Sequence, residues 1–134
     1  MDVTHAEDVA LKASTTLVLV LPVDMSGASQ EMIDKLIVAC ALDAGRDVVR
    51  VSAPRAGSLA RQLASHGRRL YCVCFGLSPK QVGAHWSVNP YRWVKDSGVL
   101  YCFAERPELI VTDLDRKRQL WACMKDIKAA QAAT

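Results

Sequence analysis

Hydrophobic positions along this chain fall into short unbroken runs separated by stretches of helical period. The runs predict strands at Thr16 to Leu21, Asp47 to Ser52, Leu70 to Phe75 and Val99 to Ala104. Leu70 to Phe75 shows no polar alternation and ends at Gly76, as expected of a central strand buried on both faces. Ser78 and Pro79 then give a helix-start signature lasting about one turn before Gly83. Between the first two strands, Met32, Ile33, Leu36, Ile37 and Cys40 recur at helical spacing after the candidate cap Ser29, with Gly45 as the predicted stop. A short helix is expected from Ser58 to His66, with Leu59 and Leu63 inward. A last helix runs from Asp113 to about Ala130 and carries Leu114, Leu120, Trp121, Met124 and Ile127 inward. Ala84 to Ser97 has neither period and reads as irregular.

Strands alternating with helical crossovers predict an α/β domain, a three-layer α/β/α sandwich. Its expected sheet is parallel and four-stranded, with order 2-1-3-4. The chain has 134 residues, enough for one domain, which we place at 16–131 after a tail or short helix at 1–15. The first residues lack the basic and apolar regions of a secretory signal, and the apolar run Leu17 to Pro22 is far below the ~20 residues of a membrane helix. The default expectation is cytoplasmic.

Charge changes the picture more than composition does. The net charge is only +3, yet no Asp or Glu occurs between Val48 and Lys95. That span carries Arg50, Arg55, Arg61, Arg68, Arg69, Lys80, Arg92 and Lys95, with Trp86, Tyr91 and Trp93 among them. Cations beside exposed rings are what single-stranded nucleic acid requires, because charges track the phosphates while rings stack on bases. The alternative is a solvated basic surface with its rings packed inward. A second cluster, Arg116, Lys117 and Arg118, lies near the amino end of the last helix. The helix dipole disfavours cations there, which marks the cluster as a candidate partner-facing surface beside its alternative, a solvated face.

Candidate chemistry is sparse. The chain has no GxSxG, P-loop, HExxH or GxGxxG pattern. Asp24, after the first strand, and Glu105, after the fourth, form the one carboxylate pair that could share a crevice. The 5 cysteines sit among apolar or small residues and read as buried thiols, not as metal or redox groups. No cofactor or metal is expected.

Several short motifs carry a family resemblance. They are the apolar strand ending in Phe75-Gly76, the segment Leu77-Ser78-Pro79-Lys80-Gln81-Val82-Gly83, the step Pro107-Glu108-Leu109, and Lys117-Arg118-Gln119-Leu120-Trp121. Over roughly Leu17 to Ile127 the chain resembles the psi subunit of bacterial DNA polymerase III and psi-like proteins. The resemblance implies a uracil-DNA glycosylase-like fold without catalysis. It further implies a replication-associated interaction module linking the clamp loader to the single-strand-binding machinery. The family's docking peptide would fall within Met1 to Ser14, which lacks aromatic anchors. Glycosylase relatives carry a histidine loop after the last strand, where this chain has Ala104-Glu105-Arg106-Pro107. Base excision is not expected. Two alternatives remain open: a nucleic-acid-binding α/β domain using the basic segment 48–95, and a divergent glycosylase or nucleotide-processing enzyme using Asp24.

Overall fold

The computed structural model describes residues 9–132. Five strands are present: β1 (Leu17–Leu21), β2 (Val48–Ser52), β3 (Leu70–Phe75), β4 (Trp93–Asp96) and β5 (Val99–Ala104). The helices are α1 (Gly27–Ala39), α2 (Leu59–Ser65), α3 (Pro107–Val111) and α4 (Leu114–Ala132), with 3-10 turns at Ala53–Arg55 and Pro79–Val82.

The chain is α/β, but the expectation of a four-stranded parallel sheet is corrected. The sheet has five strands in the order β2-β1-β3-β5-β4, and β4 runs antiparallel to β5. The extra strand lies in the segment expected to be irregular. Its four residues, Trp-Val-Lys-Asp, are half-buried or exposed at the sheet edge and so lack an apolar run. A two-residue turn with positive φ at Ser97 (53°) and Gly98 (84°) reverses the chain into β5.

Both faces of the central strands are buried, which explains the missing alternation. Leu17, Leu19, Leu21, Tyr71, Val73 and Phe75 face one core; Val18, Val20, Leu70, Cys72 and Cys74 face the other. The first core is closed by α1, α3 and α4 through residues such as Ile33, Leu36, Ile110, Leu120 and Ile127. The second is closed by Leu59 and Leu63 of α2, with Val82, Ala84 and Trp86. Each fully buried Leu or Ile contributes about 1.5–3 kcal/mol of hydrophobic stabilisation.

Three helix expectations are also revised. Helix α1 stops at Ala39 instead of near Gly45, because Ala41 turns left-handed (φ 61°) and an Asp-built loop follows. In that loop Asp43 Oδ1 accepts from the Gly45 and Arg46 amides, and Asp47 Oδ2 accepts from the Asp43 amide. Helix α3 occupies the step before the last helix, and its Ile110 takes the core position expected of Leu114, which is 62% exposed. Trp121 is half-buried at the rim of the first core instead of inside it.

The described part of the amino-terminal segment, residues 9–15, forms no helix. Arg68 straps it down, donating to the Lys12 and Ala13 carbonyls at 2.7 Å each. The Val9 amide donates to Gln62 Oε1 at 2.7 Å.

Candidate functional site

In an open α/β sheet the ligand crevice lies beyond the carboxyl ends of the strands, where the chain order switches direction. Here the switch falls between β1, whose chain proceeds to β2, and β3, whose neighbour on the other side is β5. The turn after β3 is built tightly. Gly76 has φ +73°, its amide donates to the Ala104 carbonyl at 2.8 Å, and a Cβ placed on it would lie 2.6 Å from Arg106 Cγ. Arg106 therefore lies directly over the turn.

Glu105, one of the two candidate acids, is already engaged. Its Oε1 accepts from the Tyr91 hydroxyl at 3.0 Å and from Arg116 Nε at 2.7 Å. Arg116 also donates through Nη1 to Asp113 Oδ2 at 2.7 Å. Burial pushes the Tyr91 hydroxyl up to about 12, so the phenol stays a donor to Glu105. The network ties the loop before β4 to α4 and uses Glu105 and Arg116 as structural anchors. Arg116 is thus ion-paired to two carboxylates while its side chain stays 36% exposed.

A cavity of about 350 Å³ adjoins this turn, lined mainly by apolar groups of Leu77, Pro79, Val88, Pro90, Phe103 and Ala104, with Glu105 at its edge. Asp24 is exposed in the turn after β1 and does not line this cavity. The two carboxylates considered for acid/base chemistry therefore do not share this cavity. Among the described residues, no group of three or more His, Cys, Asp or Glu side chains is placed to hold a metal ion.

The basic and aromatic candidates are dispersed. Arg55 and Lys80 follow β2 and β3 at one end of the sheet, while Arg68 and Arg69 precede β3 at the other. Lys95 pairs in register with Leu100 on the edge strand β4, Arg92 is exposed just before it, and Arg61 is exposed on α2. Arg68 is spent on the amino-terminal strap. Arg69 donates to the Tyr71 hydroxyl at 2.9 Å and sits 5.5 Å from that ring's centre. Tyr91 is buried. The Trp86 ring packs on Tyr101 at 4.6 Å and its Nε1 donates to Asp96. Trp93 packs edge-on to Tyr71 at 5.4 Å and donates to Asp126. All three aromatic side chains are engaged in the fold.

A larger recess lies elsewhere. A groove of about 610 Å³ runs between α1 and α4, with α3 closing one side. Met32, Val111 and Trp121 give it an apolar floor, and Ala28, Glu31, Lys35, Lys117 and Arg118 form its rim. Lys117 and Arg118 are two of the three cations singled out from the sequence. The α1 contribution was not legible there, because Met32 and Lys35 become neighbours of Trp121 only through the packing of α1 on α4. No sequence signal marked it: Val38 and Leu114 are 75% and 62% exposed, which their apolar character does not reveal.

The cysteines are all buried and free. Cys72 and Cys74 place their sulfurs 3.8 Å apart on one face of β3, and Cys123 Sγ donates to the Tyr91 carbonyl.

No helix among the described residues is long and apolar enough to cross a membrane. No protein-family model matches the chain, and no curated protein matches it.

Proposed function

We propose that this chain is a non-catalytic interaction module associated with DNA replication, similar to the psi subunit of DNA polymerase III and sharing the uracil-DNA glycosylase-like fold. The observation that carries the interaction half of the proposal is the groove between α1 and α4. Half-buried Trp121 and Val111 line it above buried Met32, beneath a cationic rim, an arrangement suited to protein recognition. The replication half rests on the motif resemblance, which includes Lys117, Arg118 and Trp121 of this groove.

The carboxyl-end crevice argues the same way from the other side. Arg106 covers the turn and Glu105 is ion-paired, which supports the non-catalytic reading. A dispersed set of cations, two of them engaged with the fold, favours protein over single-stranded DNA as the primary partner.

The test is co-purification of the full chain from extracts of its native host at low salt. Recovery of clamp-loader or single-strand-binding proteins is the expected result. Recovery of neither would overturn the replication assignment.

A further inference from the structure

We propose that the groove between α1 and α4 seats an amphipathic helix of a partner protein whose apolar stripe is flanked by carboxylates. This rests on the interaction-module reading and adds the chemistry of the partner.

Three observations define the occupant. First, the exposed apolar surface continues beyond the groove floor along both walls. Val38 lies one turn beyond Lys35 on α1, and Leu114 one turn before Lys117 and Arg118 on α4. From Ala28 to Val38 the α1 wall is about 15 Å long, the length of roughly ten helical residues. Second, both walls are helices, whose backbone groups beyond the terminal turns are satisfied within their own ladders. A β-strand peptide needs a sheet edge and finds none here; a helix brings its own hydrogen bonds and needs only side-chain contacts.

Third, the rim is unequal in charge. It carries Lys35, Lys117 and Arg118 against Glu31, which pairs with Lys35 at 3.2 Å, so the surplus cations are Lys117 and Arg118. Among the described residues Lys117 makes no ion pair, and the Arg118–Asp115 pair is long (3.7 Å) with both side chains more than two-thirds exposed. These cations remain available, and the lysine stems extend the apolar floor. Carboxylates flanking an apolar stripe complement this rim, whereas a basic helix would be repelled by it. Bases stacking on Trp121 beside the same cations are the competing occupant, which the oligothymidylate arm below tests.

The experiment titrates isotope-labelled full-length protein with a synthetic helix of about 16 residues, Leu at i, i+4, i+7 and i+11 with Glu beside the stripe. Amide shifts are expected at Ala28, Met32, Lys35, Val111, Lys117 and Trp121, with affinity falling as salt rises. The double substitution K117E/R118E should weaken the Glu helix by about tenfold or more and admit the same helix carrying Lys for Glu. Lys35→Glu, on the other wall, gives an independent variant should the double one fail to fold. No binding at millimolar peptide overturns the proposal, as does equal binding of the Glu and Lys helices. Shifts of the same residues produced only by oligothymidylate, or only by self-association of the protein, overturn it as well. If a native partner co-purifies equally with K117E/R118E, the interaction module stands and the groove assignment falls. If wild type captures no partner yet binds the Glu helix as described, the groove chemistry stands and the replication assignment falls.

Discussion

The seating of Arg106 over Gly76 decides whether the crevice at the sheet's carboxyl end is covered, and a pair of glycines measures it. Gly67 and Gly76 are both left-handed, at φ +63° and +73°. Replacing either by Ala places an L residue in that region, at a cost of about 1–2 kcal/mol. At Gly67 a new Cβ meets nothing within 4 Å, so Gly67→Ala reads the backbone term alone. At Gly76 the new Cβ would lie 2.6 Å from Arg106 Cγ, against the ~3.5–4.0 Å of normal carbon contact. Relief requires Arg106 to leave its rotamer, because its Cα sits at the head of α3 and its carbonyl accepts from the Leu109 amide. That adds about 1–3 kcal/mol of overpacking, for a total of about 2–5 kcal/mol. Urea denaturation of both variants gives the comparison, and at this chain size each kcal/mol also lowers Tm by roughly 4 °C. In an Arg106→Ala background the Gly76→Ala cost should drop to that of Gly67→Ala, a coupling of about 1–3 kcal/mol. Equal costs at the two glycines in the native background would refute the argument and leave the crevice uncovered.

Arg68→Ala should free residues 9–15 without melting the core: amide exchange there accelerates while β1 and β3 stay protected, and uniform loss of protection would show that the strap is not local. On the alkaline side, the unfolded chain ionises tyrosine from its ordinary value of 10.0 while folded Tyr91 holds its proton to about 12. Burial of Cys40 acts in the same direction, from 9.0 up to about 11. Folded pKa values raised in this way mean stability is complete below the unfolded values and lost as pH climbs through the folded ones, so the urea midpoint should be level near neutrality and fall past about pH 9–10. Uracil-containing single-stranded DNA incubated with the protein and treated with alkali should stay intact; strand breaks abolished by Asp24→Ala would restore the enzyme alternative. Oligothymidylate should show no saturable binding at micromolar protein in about 150 mM salt, and tight binding with a steep salt slope would instead favour the nucleic-acid alternative.

The elements legible in the sequence were those whose own residues carry the whole signal. β1, β3 and β5 are apolar throughout because each is buried from both sides, and Leu59 and Leu63 turned inward as their spacing required. β4 was not legible, since an edge strand needs burial on only one side and its Lys95 and Asp96 read as loop. The end of α1 was missed for a different reason. Its stop comes from side-chain acceptors at Asp43 and Asp47 reaching nearby amides, a device without the glycine signal. Lys117 and Arg118 drew notice through their unfavourable place on the helix dipole. The groove they border needs α1, which lies about eighty residues earlier and meets α4 only in three dimensions. Conversely, Arg68, Arg69 and the three aromatics looked alike as surface candidates until their hydrogen bonds tied them into the fold.

The thiols buried in the two cores carry a consequence for how the protein ages. In the native state all five are free thiols shielded from solvent oxidant by burial. Burial also holds the Cys40 thiol near 11 and raises Cys72 well above its ordinary value. Global unfolding releases every one of them together, as ordinary thiols free to form mismatched bridges within a chain or between chains. Each excursion to the unfolded state in an oxidising solution is thus a chance of permanent loss, and refolding yield depends on reductant although the folded molecule does not. The shelf life of the protein is then set by its unfolding rate, with thiol consumption as the clock.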